Sequence, residues 1–404
     1  MSESVIIVGA GPTGLTAALA LGLAGIPVLV LEAEAELAID LRAGSYHSPT
    51  IEILTKLGVG EKMHETGIIV PRWQIRDRVE GLIADFDLSL LKDETPFPYR
   101  LHLEQHRLTS MLFDHIVAVC PSVRVLFGKA VTEVSQDADG VVVKAGPETY
   151  RGSYVIGCDG ARSVVRQAMG VELEGFTWDD RYLVSSTTYD LGLLGLTGAG
   201  YVADPAAWAA VFHVPDDGPP GLWRVVWPIP PEADEAEEMR PENIQAHLFR
   251  VLEAAKPMPP GGRFPLKYAS VYRVHQRVAS RFVKDRMIIA GDAAHLNNPL
   301  GGLGLNGGIQ DADNLAAKLI RVWHDGVNAE RELDRYDRQR RPINIKAVQA
   351  MSIRNKRLLE ERDPLVRRQK LDEQRATAAD PVRAKSYLME TSMINSMREA
   401  AQIT

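Results

Sequence analysis

Val5-Ile6-Ile7-Val8-Gly9-Ala10-Gly11-Pro12-Thr13-Gly14, with Val28-Leu29-Val30-Leu31-Glu32 downstream, decides how this chain folds. The first run is continuous in apolar, β-branched residues, as a parallel strand buried on both faces requires. Gly9, Gly11 and Gly14 then break it in a Gly-x-Gly-x-x-Gly turn, and a helix is predicted from about Gly14 to Ala24. The first glycine makes the turn tight, the second lets a pyrophosphate approach the backbone, and the third lets helix and strand pack closely. Pro12 and Thr13 open the helix, whose N-terminus faces the phosphates. The second strand ends at Glu32, where a carboxylate accepts hydrogen bonds from ribose hydroxyls. This unit alone fits FAD and NAD(P) equally.

Working outward, 404 residues are enough for two intertwined domains with a large core. Apolar residues make up 45% and charged residues 25%, as in an ordinary folded enzyme. A net charge of −7 argues against a nucleic-acid surface, which needs a basic excess. Cys120 and Cys158 are the two cysteines, too few for a disulfide framework or a zinc cluster, and a reducing cytoplasmic setting is expected. No charge interrupts Ser4 to Leu31, but the glycines and Pro27 cut that run into strand, helix and strand rather than a membrane span.

Two further motifs separate FAD from NAD(P). Tyr154-Val155-Ile156-Gly157-Cys158-Asp159-Gly160 is a strand running into an Asp-Gly turn. Met287-Ile288-Ile289-Ala290-Gly291-Asp292 is a strand running into a Gly-Asp turn. The latter continues as Pro299-Leu300-Gly301-Gly302-Leu303-Gly304-Leu305-Asn306, with a helix from about Gly307. Asp292 is placed to bind a ribityl hydroxyl. The glycine loop and the dipole of the helix behind it would stabilise negative charge on a reduced flavin.

These three motifs, in this order and at this spacing, resemble the class A flavoprotein aromatic hydroxylases, the family of para-hydroxybenzoate hydroxylase. The resemblance implies an α/β fold: a Rossmann-like FAD-binding domain, an inserted and mainly antiparallel β substrate domain, and a helical C-terminus. The FAD-binding domain is expected at 1–71, 89–176 and 282–330, the substrate domain at 72–88 and 177–281, and helices packed on the first domain at 331–404. Implied too are one FAD with a mobile ring, NADH or NADPH as co-substrate, O₂, and a possible homodimer. The reaction would hydroxylate a phenol or N-heteroaromatic ring through a flavin C4a-hydroperoxide. Within the family pattern Arg42 lies near the pyrophosphate, Gln105 beside the flavin chain, and Pro299 offers a carbonyl near the reacting ring. Asp159, Gly302, Gly304, Leu305 and Asn306 complete the expected FAD contacts. Halogenase or reductase chemistry on the same scaffold, or a flavin-binding regulator without turnover, are the alternatives.

For the substrate side, His213 in Trp208-Ala209-Ala210-Val211-Phe212-His213 is the candidate base or hydrogen-bond partner, if its strand faces the active site. Tyr201 and Arg224 are candidate substrate contacts, each dependent on strand register. His102 and His106 are four apart but fall on a strand and a helix respectively, so no metal pair is expected. His295 is read as loop support, and Arg338-Gln339-Arg340-Arg341 as a solvated helix face. Trp223 and Trp227 are spaced as bulky strand residues, not as the closer pair of flavin-dependent halogenases.

Overall fold

A computed structural model describes residues 4–39, 44–252 and 257–404. The Val5–Val8 strand sits inside a six-stranded sheet, flanked by Tyr154–Gly157 and Val28–Leu31, with Val5 opposite Tyr154 on one side and Val28 on the other. Val123–Leu126 extends the sheet at one edge, and Met287–Ile289 then Val283–Lys284 at the other. All neighbours run parallel except that last pair. Both faces are covered, so all four residues of Val5–Val8 are buried and the strand shows no polar alternation. Parallel strands end on one edge, and the turns that leave Val8, Leu31, Gly157 and Ile289 carry Gly9, Glu32, Asp159 and Asp292.

The Pro12–Leu23 helix is buried at every residue from Gly14 to Gly22. It is apolar all round because it lies beneath other helices instead of at the surface. A Cβ on Gly22 would come within 2.4 Å of a Val123 methyl, which is how closely this helix rides the sheet.

An eight-stranded sheet forms the second layer, in the order His295–Leu296, Leu266–Ala279, Leu173–Thr187, Leu222–Ile229, Ala209–Val214, Ala199–Ala203, Arg72–Asp77 and Gly81–Asp87. Its pairs are antiparallel save that between Ala199–Ala203 and Arg72–Asp77. One face presents Tyr182, Tyr201, Phe212 and Val226 toward Leu300 of the glycine loop. The other presents Val211, Trp223, Val225 and Trp227, and is covered by Ile244 and Leu248 of the Pro241–Val251 helix.

The C-terminal helices depart from expectation. Ala329–Ile343 does pack on the first layer, where Leu333 and Tyr336 join its core. Pro364–Ala379 and Pro381–Thr391 instead cover the antiparallel sheet: Leu371, Ala384 and Leu388 cluster with Ile83 and Phe86. Tyr387 stacks on Phe86 with ring centroids 4.4 Å apart. The Gly81–Asp87 strand is a sheet edge, and covering it removes an exposed edge from solvent. Among the described residues no helix is long and apolar enough to cross a membrane, and no His, Cys, Asp and Glu group could hold a metal ion.

Candidate active site

The glycine turn is held by steric necessity. Gly9 has φ +101°, and a Cβ there would lie 2.5 Å from the Cys158 carbonyl oxygen. A Cβ on Gly14 would lie 2.0 Å from the Gly9 carbonyl oxygen, whereas around Gly11 there is open space. That open side is where a diphosphate would rest. Pro12 occupies the first helical turn, where its missing N–H costs nothing. The helix has no side-chain cap, so the amides of Thr13 and Gly14 have no intrahelical acceptor. Glu32 reaches over the turn, accepting a hydrogen bond from the Ala10 amide at 2.6 Å and from the Glu34 amide at 3.0 Å. Arg42 lies outside the described residues.

Thr13 joins the first motif to the third. A Cβ on Gly291 would approach the Thr13 hydroxyl to 2.6 Å, and one on Gly308 to 2.4 Å. Arg166 ties the second motif to the third, donating to the Ala161 carbonyl at 2.8 Å and the Ala293 carbonyl at 2.9 Å. Asp159 accepts from the Val164 amide at 2.7 Å, which starts the Val164–Ala168 helix. Its other oxygen is buried without a partner among the described residues, and burial raises its carboxyl pKa. Asp292 stands exposed on its turn, and Gln105 opens the Gln105–Val119 helix as expected.

The flavin-loop helix starts at Leu303, four residues before the expected Gly307. Gly302, at φ +67°, supplies the left-handed residue that precedes it. Leu303, Gly304 and Leu305 therefore contribute the first-turn amides that lack intrahelical acceptors. The Asn306 side chain is committed to the protein: it accepts from the His47 amide at 2.9 Å and donates to the Ser45 and Gly302 carbonyls at 2.8 and 2.6 Å. Pro299 is exposed, and its carbonyl already accepts the Gly302 amide at 3.0 Å. Asn298, in the position before it, accepts from the Leu300 amide at 3.0 Å and donates to Gln276 at 3.1 Å, pinning the loop.

Behind the loop lies a feature the sequence concealed. Asp311 receives His295 Nε2 at 2.6 Å and Arg340 Nε at 2.6 Å, and all three side chains are fully buried. The same carboxylate accepts from the Gly291 amide at 3.2 Å. Burial alone would raise the Asp311 carboxyl pKa, but the charge of Arg340, then His295, outweighs it and holds the pKa below the ordinary value. Arg340 therefore corrects the reading of 338–341 as a solvated face. Helical periodicity turns this one arginine inward, and its buried carboxylate partner is 29 residues away.

On the substrate side, strand alternation sorts the candidates. Tyr201 and Arg224 lie on the sheet face that carries Phe212 and meets Leu300 of the glycine loop, and both are buried. Tyr201 packs edge-on against Trp73 at 4.7 Å, and its hydroxyl lies 3.4 Å from Asn355. Arg224 sits 6.0 Å from the Phe212 ring, on the same face. His213 does not face this space. It pairs with Trp223, stacks on that ring at 4.5 Å and bonds the Pro220 carbonyl at 2.6 Å, all on the outer face. The strand exists as expected, but the odd-numbered residues of Ala209–Val214 face outward. Burial lowers the His213 pKa.

Arg100 and His47, which the sequence did not mark, and His102, weighed there only as a metal ligand, lie beside these residues. Arg100 lies with its guanidinium 4.1 Å over Trp73, and His102, two residues along the same strand, packs toward Phe212 at 6.4 Å. His47 bonds the Gly301 carbonyl at 2.8 Å. Their shared parity on the Arg100–His102 strand is a sequence signal that would have found Arg100 and His102 together.

The open side of Gly11, two capless helix starts on one edge, and the orphaned oxygen of Asp159 fit a diphosphate-bearing flavin. The comparisons agree. The family model "FAD binding domain" matches residues 2–351. The chain is 34% identical over 400 residues to para-nitrophenol 4-monooxygenase of Pseudomonas sp. strain WBC-3, covering 98% of this chain and 97% of that one. The chain belongs to the class A FAD-dependent aromatic hydroxylases. It is also 34% identical to 6-hydroxy-3-succinoylpyridine 3-monooxygenase of Pseudomonas putida, over 90% of this chain and 91% of that one. The crystal structure of p-nitrophenol 4-monooxygenase from Pseudomonas putida DLL-E4 superposes with a TM-score of 0.90 at 33% identity, covering 98% of each chain. As a member of this family the chain is a monooxygenase that uses FAD, NAD(P)H and O₂ on an aromatic substrate.

Proposed function

We propose that the substrate of this hydroxylase is a small monocyclic phenol or hydroxypyridine. The observation that carries this reading is the aromatic cluster of Trp73, Tyr201 and Phe212 on the sheet face toward Leu300, with the buried Arg100 guanidinium stacked on Trp73. An aromatic surface takes a ring, and an embedded cation takes its oxygen substituent. The end-to-end likeness to relatives named for a nitrophenol and a hydroxypyridine supports the same class.

When bound, FAD accepts hydride from NAD(P)H and activates O₂ for transfer of one oxygen atom to the ring. The chain must bind both partners, exclude water and stabilise charge. Gly9, Gly11, Pro12, Thr13 and Gly14 would hold the diphosphate, and Glu32 the ribose. Asp292 and Gln105 would hold the flavin chain. The first-turn amides of Leu303, Gly304 and Leu305 would offset negative charge on the reduced ring. Tyr201, fixed by Trp73 and Asn355, would orient the substrate, and Arg224 would flank it on the sheet side. Two cysteines without a disulfide and a dependence on NAD(P)H support a cytoplasmic setting.

The test is turnover by the FAD-loaded enzyme. Monocyclic phenols and hydroxypyridines should stimulate both NAD(P)H oxidation and O₂ consumption, and labelled O₂ should put one heavy oxygen into the product. If larger polycyclic phenols are hydroxylated and no monocyclic ring is, the substrate class is wrong.

A further inference from the structure

Arg100 is 4% exposed, and its Nε has no hydrogen-bond partner among the described residues. Burying a cation without a counter-charge is costly, so such a group is ordinarily paired. The polar neighbours of Arg100 include the hydroxyls of Tyr201 and Tyr387, which burial keeps neutral, and no carboxylate among the described residues is ion-paired with it. Glu104 is engaged elsewhere, ion-paired to Arg107 at 3.2 Å and accepting the Asp216 amide at 2.6 Å. Burial lowers the guanidinium pKa only to about 10, so it remains charged at neutral pH.

The neighbouring imidazoles supply no negative charge either, and their tautomers are set by their partners. A carbonyl only accepts, so His47 Nε2, 2.8 Å from the Gly301 oxygen, carries a hydrogen. His102 Nδ1, 2.8 Å from the His213 oxygen, does likewise. His47 Nδ1 and His102 Nε2 are then lone pairs, both buried and without partners among the described residues. Burial, with the Arg100 charge adding to it, lowers both imidazoles to about 3 and keeps them neutral. Among the described residues this group therefore brings together two buried cations, Arg100 and Arg224, and neutral acceptors, with no carboxylate paired to Arg100.

We propose that Arg100 selects the substrate in its ionised form, pairing with a phenolate-type oxygen, so that acidic phenols are preferred over weakly acidic ones. This inference rests on the monocyclic-phenol reading above. Ionisation also suits the reaction, because a phenolate ring is a stronger nucleophile than the neutral phenol. The proton is lost to solvent on or before entry, since neutral imidazoles of such low basicity do not retain it.

The probe is 4-nitrophenol, which is yellow as the phenolate and nearly colourless as the phenol. FAD-loaded enzyme is titrated with it at a pH where the free ligand is mostly neutral, without NAD(P)H, and the flavin spectrum is subtracted. Binding to the native enzyme should develop the phenolate absorbance. Arg100→Gln should lose that absorbance and bind about ten- to a hundredfold more weakly, the loss expected for a charge-assisted contact. Arg100→Lys should restore part of both, and retained flavin absorbance reports that the variants are folded. Three results would overturn the proposal: 4-nitrophenol bound as the neutral phenol, no binding at all, or an Arg100→Gln variant that still binds the phenolate as tightly as the native enzyme. Hydroxylation of less acidic monocyclic phenols alongside any of these would leave the substrate class standing and remove only the role of Arg100.

Discussion

Replacing Arg340 with methionine tests the load carried by the buried ion group behind the flavin loop. Arg340 and Asp311 are fully buried and 2.6 Å apart, so the substitution strands a carboxylate that keeps only His295 and the Gly291 amide. Breaking such a pair costs roughly 3–5 kcal/mol. The variant can limit the damage by taking up a proton. Neutralising a carboxyl of ordinary pKa at pH 7 costs about 4 kcal/mol, which sets the ceiling. The expected deficit at pH 7 is thus about 3–4 kcal/mol. Its pH dependence identifies the cause. In the native protein the folded Asp311 pKa is depressed, so its contribution is present above the ordinary carboxyl range and is lost only as pH falls through the folded value. In the variant the folded state holds an extra proton that the unfolded state lacks, so stability rises as pH falls. The deficit should shrink by up to about 1.4 kcal/mol for each pH unit between 7 and 5. Urea unfolding of the FAD-loaded protein, followed by flavin fluorescence and circular dichroism at several pH values, measures both numbers. A deficit below about 1 kcal/mol, or one that stays constant with pH, refutes the reasoning.

Other substitutions read the remaining parts. Gly14→Ala forces a methyl to 2.0 Å from the Gly9 carbonyl, and the purified protein should be colourless; a full complement of FAD would show that the turn can open without cost. Asp292→Ala should abolish FAD retention, so a yellow, fully loaded variant counts against its ribityl contact. His213→Phe keeps the stack on Trp223 and loses the bond to Pro220, so it should cost about 1 kcal/mol of stability and leave the hydroxylation rate within about twofold. A hundredfold fall in rate would return His213 to the mechanism.

The sequence disclosed those parts whose chemistry is local. A β-branched run, three glycines at fixed spacing and an acid at a strand end are constraints within some thirty residues, and the parallel sheet and its cofactor edge followed from them. The Leu303 helix start was hidden because Gly301, Gly302 and Gly304 read as loop. Tertiary packing overrides that propensity, since the Asn297 side chain lies against Gly304 inside the helix. His213 was misjudged because a strand's two faces differ by one residue, and nothing local says which face meets the cofactor. Arg340 and Arg100 were passed over for a related reason. A buried arginine looks like any surface arginine until its partner, distant in the chain, is brought alongside.

The Thr13 crossing also constrains how this lineage can diverge. One hydroxyl occupies the space that side chains at 291 and 308 would need, so three positions scattered across the gene share a single small volume. Enlargement at any one must be matched by contraction at another. Homologues that carry alanine at either glycine should therefore have serine, alanine or glycine in place of the threonine, and aligned sequences ought to show these sites drifting together.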